Sequence, residues 1–358
     1  GTIFYWDATN GTSTRAVALT SRTGASDVPV VARKILVSDV DRHCIAFGAN
    51  PITDGTQDPL LIRFSSQESV VDWTPTATNT AGDLRLSKGS EIITAIQTSR
   101  QILVWTDQSL YSMQFIGAPF TFGVSLIGDN TRIAGPNTAI AVNDMVFWMG
   151  QENFYIYDGR IQAIPCTVRD YVFGDMNNQQ SFKFHVGSIA SQTEVWWFYC
   201  SSSSSEIDRY VVYNYGQQVW YYGELVRTAW NDRASGLRSF PQATGVDTYL
   251  YNHEDGDDDF STGSAVAINA FVESSDFDIG DGQQFMLVNR IIPDLTFDGS
   301  STSNPAAKFT VKSRDFSGDS FTESASGSAI RTATSPVEQY TDKIDLRARG
   351  RQMAIRVE

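Results

Sequence analysis

Short runs of β-branched and aromatic residues, separated by polar turns, recur along the first two thirds of the chain. Three of them share one pattern, in which a run containing tryptophan precedes a polar turn and a second aromatic run: 102–105 before 109–115, 145–148 before 154–157, and 195–199 before 209–215. The tryptophans Trp105, Trp148 and Trp197 are 43 and 49 residues apart. A four-stranded propeller blade occupies ~40–50 residues. We therefore expect radially arranged sheets with these tryptophans at equivalent positions in consecutive blades.

Further hairpin signals fill the intervals between these runs. Asp158-Gly159 separates 154–157 from 160–164, which is a strong signal for a two-residue turn. Residues 210–215 and 219–222 form another predicted hairpin around the Gly-Gln-Gln turn at 216–218. Fainter strand-like runs lie at 45–47, 60–64 and 249–251. No long helix is predicted, and 167–176 is expected to hold a short turn at most. A β-sandwich with hairpins at similar intervals remains the alternative to a propeller.

The pattern changes after the acidic stretch that ends at Asp259. Strands are predicted at 267–274 and 285–292, and a loose Ser/Gly/Thr stretch at 299–335 is interrupted by a strand at 308–313. The last element, 343–358, alternates apolar and charged residues around Gly350. We therefore predict an all-β chain with a β-propeller-like repeat domain over 1–260, its amino end incomplete, and a smaller β-sandwich or platform domain over 261–358.

Charge is distributed unevenly along the 358 residues. The net charge is −14, and residues 251–300 hold eleven acidic side chains against the single base Arg290. Residues 343–358 reverse the sign, with five bases against two acids. Specific nucleic-acid binding is disfavoured, because that affinity comes from Lys and Arg on phosphates. The two segments of opposite sign are expected either to meet across an interface or to form solvated faces.

No catalytic, cofactor-binding or metal-binding residue is predicted. Asp255, Asp257 and Asp259 offer oxygen ligands to Ca²⁺, but an EF-hand loop starting there would need Gly and Glu where Phe260 and Val266 stand. We expect this to be a mobile or solvent-facing loop without a structural ion. The three histidines and three cysteines match no catalytic or zinc spacing, so buried free thiols are expected: His43, His185, His253, Cys44, Cys166 and Cys200.

Two aromatic clusters leave a choice of interpretation. Trp196-Trp197 and Trp220-Tyr221-Tyr222 place aromatic side chains on both faces of a strand. Packing between neighbouring blades is the structural explanation, whereas glycan stacking or subunit contact is the functional one. No apolar run approaches the ~20 residues that span a bilayer, so no membrane insertion is expected.

Several motifs resemble the tail nozzle proteins of short-tailed bacteriophages, the tail tubular protein B family. They are 58–65 (DPLLIRFS), 73–75 (WTP), 101–113 with Trp105 and Tyr111, 147–160 (from FWMG to YDGR), and 349–353 (RGRQM). These motifs describe a scaffold and contain no catalytic site. The family chains are usually longer at the amino end.

The resemblance implies a structural, non-enzymatic role in the virion. It implies a β-propeller with an added platform, assembled as a closed ring of identical subunits with sixfold symmetry. The ring would lie below a tail adaptor, beside other tail proteins and fibres, and duplex DNA would leave through it without specific binding. A receptor-binding or fibre-attachment adhesion module is the alternative, and a propeller glycosidase, which would need paired carboxylates, is a further one.

Overall fold

The computed structural model describes residues 1–232, 240–245, 249–256, 258–260, 263–268, 270–300, 303–319 and 332–358. It divides into two compact units, Gly1–Asp255 and Gly256–Glu358. The boundary lies a few residues before the position 260 predicted from the sequence. Asp257, one of the candidate calcium ligands, lies outside the described residues.

The first unit is a succession of small antiparallel sheets in chain order. A two-stranded pair, β1 (Phe4–Tyr5) and β2 (Val17–Ala18), precedes them. The first sheet holds β3 (Lys34–Val37), β4 (Cys44–Phe47), β5 (Leu61–Phe64) and β6 (Gly82–Arg85). The second holds β7 (Ile92–Gln97), β8 (Ile102–Thr106), β9 (Ser109–Gly117) and β10 (Thr121–Asp129).

Three further sheets complete this unit. The third holds β11 (Ala139–Val142), β12 (Met145–Met149), β13 (Phe154–Tyr157) and β14 (Ile161–Ile164). The fourth holds β15 (His185–Ile189), β16 (Glu194–Tyr199), β17 (Arg209–Asn214) and β18 (Val219–Glu224). The fifth holds the three described strands β19 (Ala229–Asn231), β20 (Gln242–Thr244) and β21 (Leu250–Asn252).

The sheets are arranged like propeller blades. The first strands pack side by side in order, β3 on β7, β7 on β11, β11 on β15 and β15 on β19. Later strands of each sheet follow as an antiparallel meander away from that first strand. Apolar side chains fill the spaces between neighbouring sheets, and residues from the amino-terminal segment cover the other side of the first sheet. The predicted all-β fold, built from many small antiparallel sheets, is confirmed.

The three tryptophans occupy the same position in the second strand of their sheets, but their side chains do not all face the same way. Trp105, Trp148 and Trp197 are each the fourth residue of the second strand of their sheet, and all are fully buried. Trp105 points toward the third sheet and meets Trp148, whereas Trp148 points back toward the second sheet. The predicted equivalent strand positions are confirmed, although Trp105 and Trp148 face opposite sides of their sheets.

Helical structure is confined to short pieces. Residues Arg169–Asp175 form the helix α1, where the sequence predicted a turn at most. Its Val172 is buried against the third and fourth sheets. This packing stabilises a helix that is too short to be stable alone. The 3₁₀ turns are Ala8–Asn10, Leu19–Ser21, Asn178–Lys183 and Ala190–Gln192.

The second unit is a small β-sandwich, as predicted. A four-stranded sheet has the order β24 (Val272–Glu273), β29 (Gln352–Val357), β26 (Ala306–Arg314) and β27 (Thr332–Glu338). A ribbon of two strands, β25 (Met286–Ile291) and β28 (Ile344–Gly350), packs on it. The hairpin β22 (Asp258–Asp259) and β23 (Val266–Ala267) forms a separate sheet among the described strands.

Two strand predictions in this unit need correction. Of the strand expected at 267–274, the described residues form the short β23 and β24. The alternating stretch 343–358 is not one element, because β28 pairs with β25 and β29 pairs with β24 and β26. Gly350 lies at the crossing, where an added Cβ would be 2.8 Å from the Arg314 carbonyl oxygen. Glycine permits this close approach of two backbones.

Candidate functional site

A buried arginine in the first sheet is a polar feature that the sequence pattern does not predict. Arg63 is only 1% exposed, and its guanidinium donates to the main-chain carbonyls of Asp27, Asn50 (3.3 Å) and Trp73 (3.5 Å). Burial lowers the pKa of Arg63, and the charges of Asp27 and Asp83 partly offset this. All three contacts are to carbonyls of the same unit, so Arg63 ties three loop segments together and offers no free reactive group.

The histidines and cysteines are dispersed through the first unit, and each is at least half-buried. His43 lies just before β4 and His185 begins β15, and burial lowers the pKa of each, that of His185 to about 4. Cys44 and Cys200 are buried and Cys166 is half-buried, and all three are free thiols. Burial raises the pKa of each thiol to about 11. Thiols with so little thiolate near neutral pH are poor nucleophiles, and the predicted buried thiols are confirmed for Cys44 and Cys200.

A cleft of about 320 Å³ opens where the first turns of three consecutive sheets meet. Each of the three turns contributes residues to its lining, among them Asp39, Gln97 and Asp144. The Ser99 hydroxyl donates to Asp144, and the Asp39 N–H donates to the Gln97 side-chain oxygen at 3.2 Å. These bonds link neighbouring turns. The residues that line the cleft therefore connect adjacent sheets.

Most side chains of the two aromatic clusters pack between neighbouring sheets. Trp197 donates its indole N–H to the Thr138 carbonyl at 3.0 Å, and Trp220 donates to the Pro165 carbonyl at 2.8 Å. Trp196 stacks on Trp230 of the fifth sheet at 5.4 Å. The structural interpretation of these clusters is confirmed. Tyr222 is different: it is 46% exposed and packs at 4.2 Å against Tyr171, which is 43% exposed.

The basic carboxyl-terminal segment divides between two environments. Arg356 pairs with Glu273 at 3.6 Å and with Glu358 at 2.9 Å on the outer face of the four-stranded sheet. Part of the basic end therefore contacts acidic groups of its own unit. Arg349 and Arg351 instead lie over the ring of Phe285, at 4.5 and 5.1 Å.

The outward side of the β25–β28 ribbon is basic and partly apolar. We call it the ribbon face; its exposed residues are Leu287, Arg290, Asp345, Arg347 and Arg349. Leu287 lies directly opposite Arg349, and Arg290 opposite Asp345, with an ion pair of 3.0 Å in the second case. The ribbon face thus carries three guanidinium groups and one carboxylate.

The described aspartates of the candidate calcium-binding stretch 255–259 are exposed. Asp255, Asp258 and Asp259 all face solvent, which agrees with the predicted solvent-facing position, although Asp258–Asp259 is a strand and not a loop. Among the described residues, no group of His, Cys, Asp or Glu is placed to hold a metal ion. No helix in the described ranges is long and apolar enough to cross a membrane.

Comparison with known proteins gives no family. No family model and no curated protein matches the chain. Among solved structures, an extracellular domain of a hybrid two-component system from B. thetaiotaomicron is 10% identical, with 63% of this chain and 33% of that one covered and a TM-score of 0.36. A chain from an S. cerevisiae complex of dbp5, nup159 and gle1 is 8% identical, with 55% and 62% covered and a TM-score of 0.25. This chain spans about a third and about three fifths of their lengths.

Proposed function

We propose that this chain is a non-enzymatic structural subunit that assembles with copies of itself, and that the assembly is the distal tail nozzle of a short-tailed bacteriophage. One observation carries the proposal. Every residue from 270 to 281 is exposed, although this segment includes Phe271, Val272, Phe277 and Ile279. Val272 is 76% exposed. Four large apolar side chains exposed in one segment favour a contact with another molecule.

The nozzle role accounts for the charge of the chain. DNA carries one negative charge per ~1.7 Å of its axis, so an acidic wall repels it and lets it pass. A net charge of −14 suits such a wall, whereas a basic wall would retain the DNA. In this proposal six copies form a closed ring in the virion, below a tail adaptor and in contact with other tail proteins and fibres.

Light scattering coupled to size exclusion tests self-assembly directly. The chain has a mass of 39.6 kDa, and the proposal predicts a discrete species at several times that value, favoured at high protein concentration. A chain that stays at 39.6 kDa at every concentration, and is also a single copy in purified virions, would contradict the proposal.

A second candidate, an adhesion module, is favoured by the exposed pair Tyr171 and Tyr222. Exposed aromatic rings present an apolar face with a polar edge, the arrangement that suits sugar rings as well as protein partners. A glycan array would show binding that is lost in Tyr222→Ala if this role is right. Binding to no glycan on the array, or equal binding by Tyr222→Ala, would leave the structural role as the better account.

A further inference from the structure

The hairpin formed by β9 and β10 extends beyond the rest of its sheet. The pairing of β8 with β9 ends where Ile102 lies opposite Met113, and from Gln114 onward β9 pairs only with β10. We call residues 114–122 the hairpin tip. A strand rises about 3.3 Å per residue, so the four residues 114–117 carry the turn roughly 13 Å past the end of β8.

The base of the hairpin tip is fixed on the first sheet. Phe122 is buried, and its ring lies 5.1 Å from His43 and 5.7 Å from Phe115. The Thr121 hydroxyl donates to the Thr80 carbonyl at 3.2 Å. These contacts hold the hairpin tip in a defined position, so its exposed side chains are presented together.

The far end of the hairpin tip is apolar on both faces and at the turn. Phe115 and Ile116 are adjacent in β9, so they point to opposite faces, and they are 42% and 56% exposed. Phe120, at the turn, is 73% exposed. The sequence has no charged residue between Asp107 and Asp129. An apolar end without charges, exposed in every direction, suits immersion in an apolar medium better than contact with one flat surface.

The size of the hairpin tip also favours lipid over a protein partner. A specific protein interface typically takes about 20–30 residues from each side, far more than the segment 114–122 offers. A lipid surface needs no matching pocket and accepts apolar side chains about 5–10 Å deep, at the boundary between headgroups and acyl chains. The antiparallel pairing of β9 with β10 satisfies backbone groups that would otherwise be costly there.

We propose that the hairpin tip docks on the surface of a lipid bilayer, with Phe115, Ile116 and Phe120 at the boundary between headgroups and acyl chains. The hairpin tip is too short to span a bilayer, so the contact is with one leaflet. Because no charged side chain takes part, the contact needs no anionic lipid and persists when salt screens charges. It does not depend on the self-assembly proposed above.

Flotation of the full chain with phosphatidylcholine vesicles tests this contact. The original chain should float with the vesicles to the same extent in about 0.1 M and about 1 M salt. A tip variant with Ile116→Asp and Phe120→Asp should bind at least about tenfold more weakly, because charged groups enter the boundary region poorly. An original chain that does not float, or a tip variant that floats equally well, would overturn the proposal.

The matched control places the same two charges elsewhere in the first unit, as Val37→Asp and Phe182→Asp. These side chains are 59% and 60% exposed, close to the exposure of Ile116 and Phe120. The control should float like the original chain, and its melting curve and that of the tip variant should match the original. Equal loss of flotation in the control and in the tip variant would show that the hairpin tip has no special role.

A dye whose emission depends on polarity reports directly where the hairpin tip lies. Attached to the full chain at Phe120→Cys, it should shift to shorter wavelength when vesicles are added, whereas the same dye at Phe182→Cys should not shift. A shift at residue 120 that follows protein concentration without vesicles, together with loss of self-assembly in the tip variant, would overturn the lipid contact in favour of a protein contact. A chain that floats with vesicles but never self-assembles would refute the proposed function and support the lipid contact.

Discussion

At the scale of single residues, Arg63 is the clearest case of a charged side chain used for structure. Arg63→Lys keeps the charge but loses the planar fork that reaches the carbonyls of Asp27, Asn50 and Trp73. Buried carbonyls left without a donor should cost about 2–4 kcal/mol in the free energy of unfolding. Urea unfolding of the first unit measures this loss.

The matched control is Arg85→Lys in the neighbouring strand. Arg85 is an exposed partner of Asp58 at 2.7 Å, and surface pairs of this kind contribute about 0–1 kcal/mol. The two substitutions change the same chemistry in different surroundings. Equal losses in both variants would show that burial of Arg63 has no special role.

His185 gives the protein a pH dependence of known sign. It stacks on Phe198 at 4.8 Å, and burial lowers its pKa from 6.5 to about 4 in the folded chain. Between these values only the unfolded chain binds the proton, so stability is full above pH 6.5 and falls as the pH drops toward 4. His185→Phe should preserve the stacking and remove about 2 kcal/mol of the loss between pH 7.5 and pH 5.

Chemical unfolding at the two pH values measures this effect. His43 and His253 also have lowered pKa values, so a smaller pH dependence should persist in the variant. An unchanged pH dependence in His185→Phe would contradict the assignment. These residue-scale roles were not predictable from the sequence, because a polar residue within an apolar run does not reveal which partners tertiary packing will supply.

At the scale of elements, the contact between sheets carries the packing of the first unit. Trp148 is fully buried, meets Trp105 at 5.5 Å and stacks on Tyr155 at 5.2 Å. Trp148→Ala should therefore cost about 3–5 kcal/mol in the free energy of unfolding. Phe120→Ala is the control, since Phe120 is 73% exposed and should cost less than about 1 kcal/mol. Similar losses in the two variants would contradict a core formed between the sheets.

Sequence pattern predicted most of these elements because turns and alternation are local properties. The Asp158-Gly159 turn and the paired strands 154–157 and 161–164 followed from turn chemistry alone. The sheet that the Trp105 side chain faces was not predictable from turn chemistry, since it depends on how neighbouring sheets pack. Nor did the separation of β28 from β29, because sequence alternation does not specify which strand will be the partner.

At the scale of the whole molecule, composition and repeats indicated an all-β chain in two parts, and the structure has this organisation. The candidate assembly surfaces were only partly foreseeable. The opposite charges of 251–300 and 343–358 suggested an interface, but part of the basic end is satisfied within its own unit by Glu273 and Glu358. Only the fold distinguishes Arg356, which is paired, from Arg347 on the ribbon face.

Electron microscopy of the assembled protein is the decisive test of the proposed ring, because rotational symmetry distinguishes a closed ring from any other state. Class averages of negatively stained particles, formed at high concentration or taken from virion tails, would show this symmetry. We expect end-on views of a closed ring of identical subunits around a central opening, with sixfold symmetry. Particles of single-chain size, or open filaments without an axial opening, would contradict it.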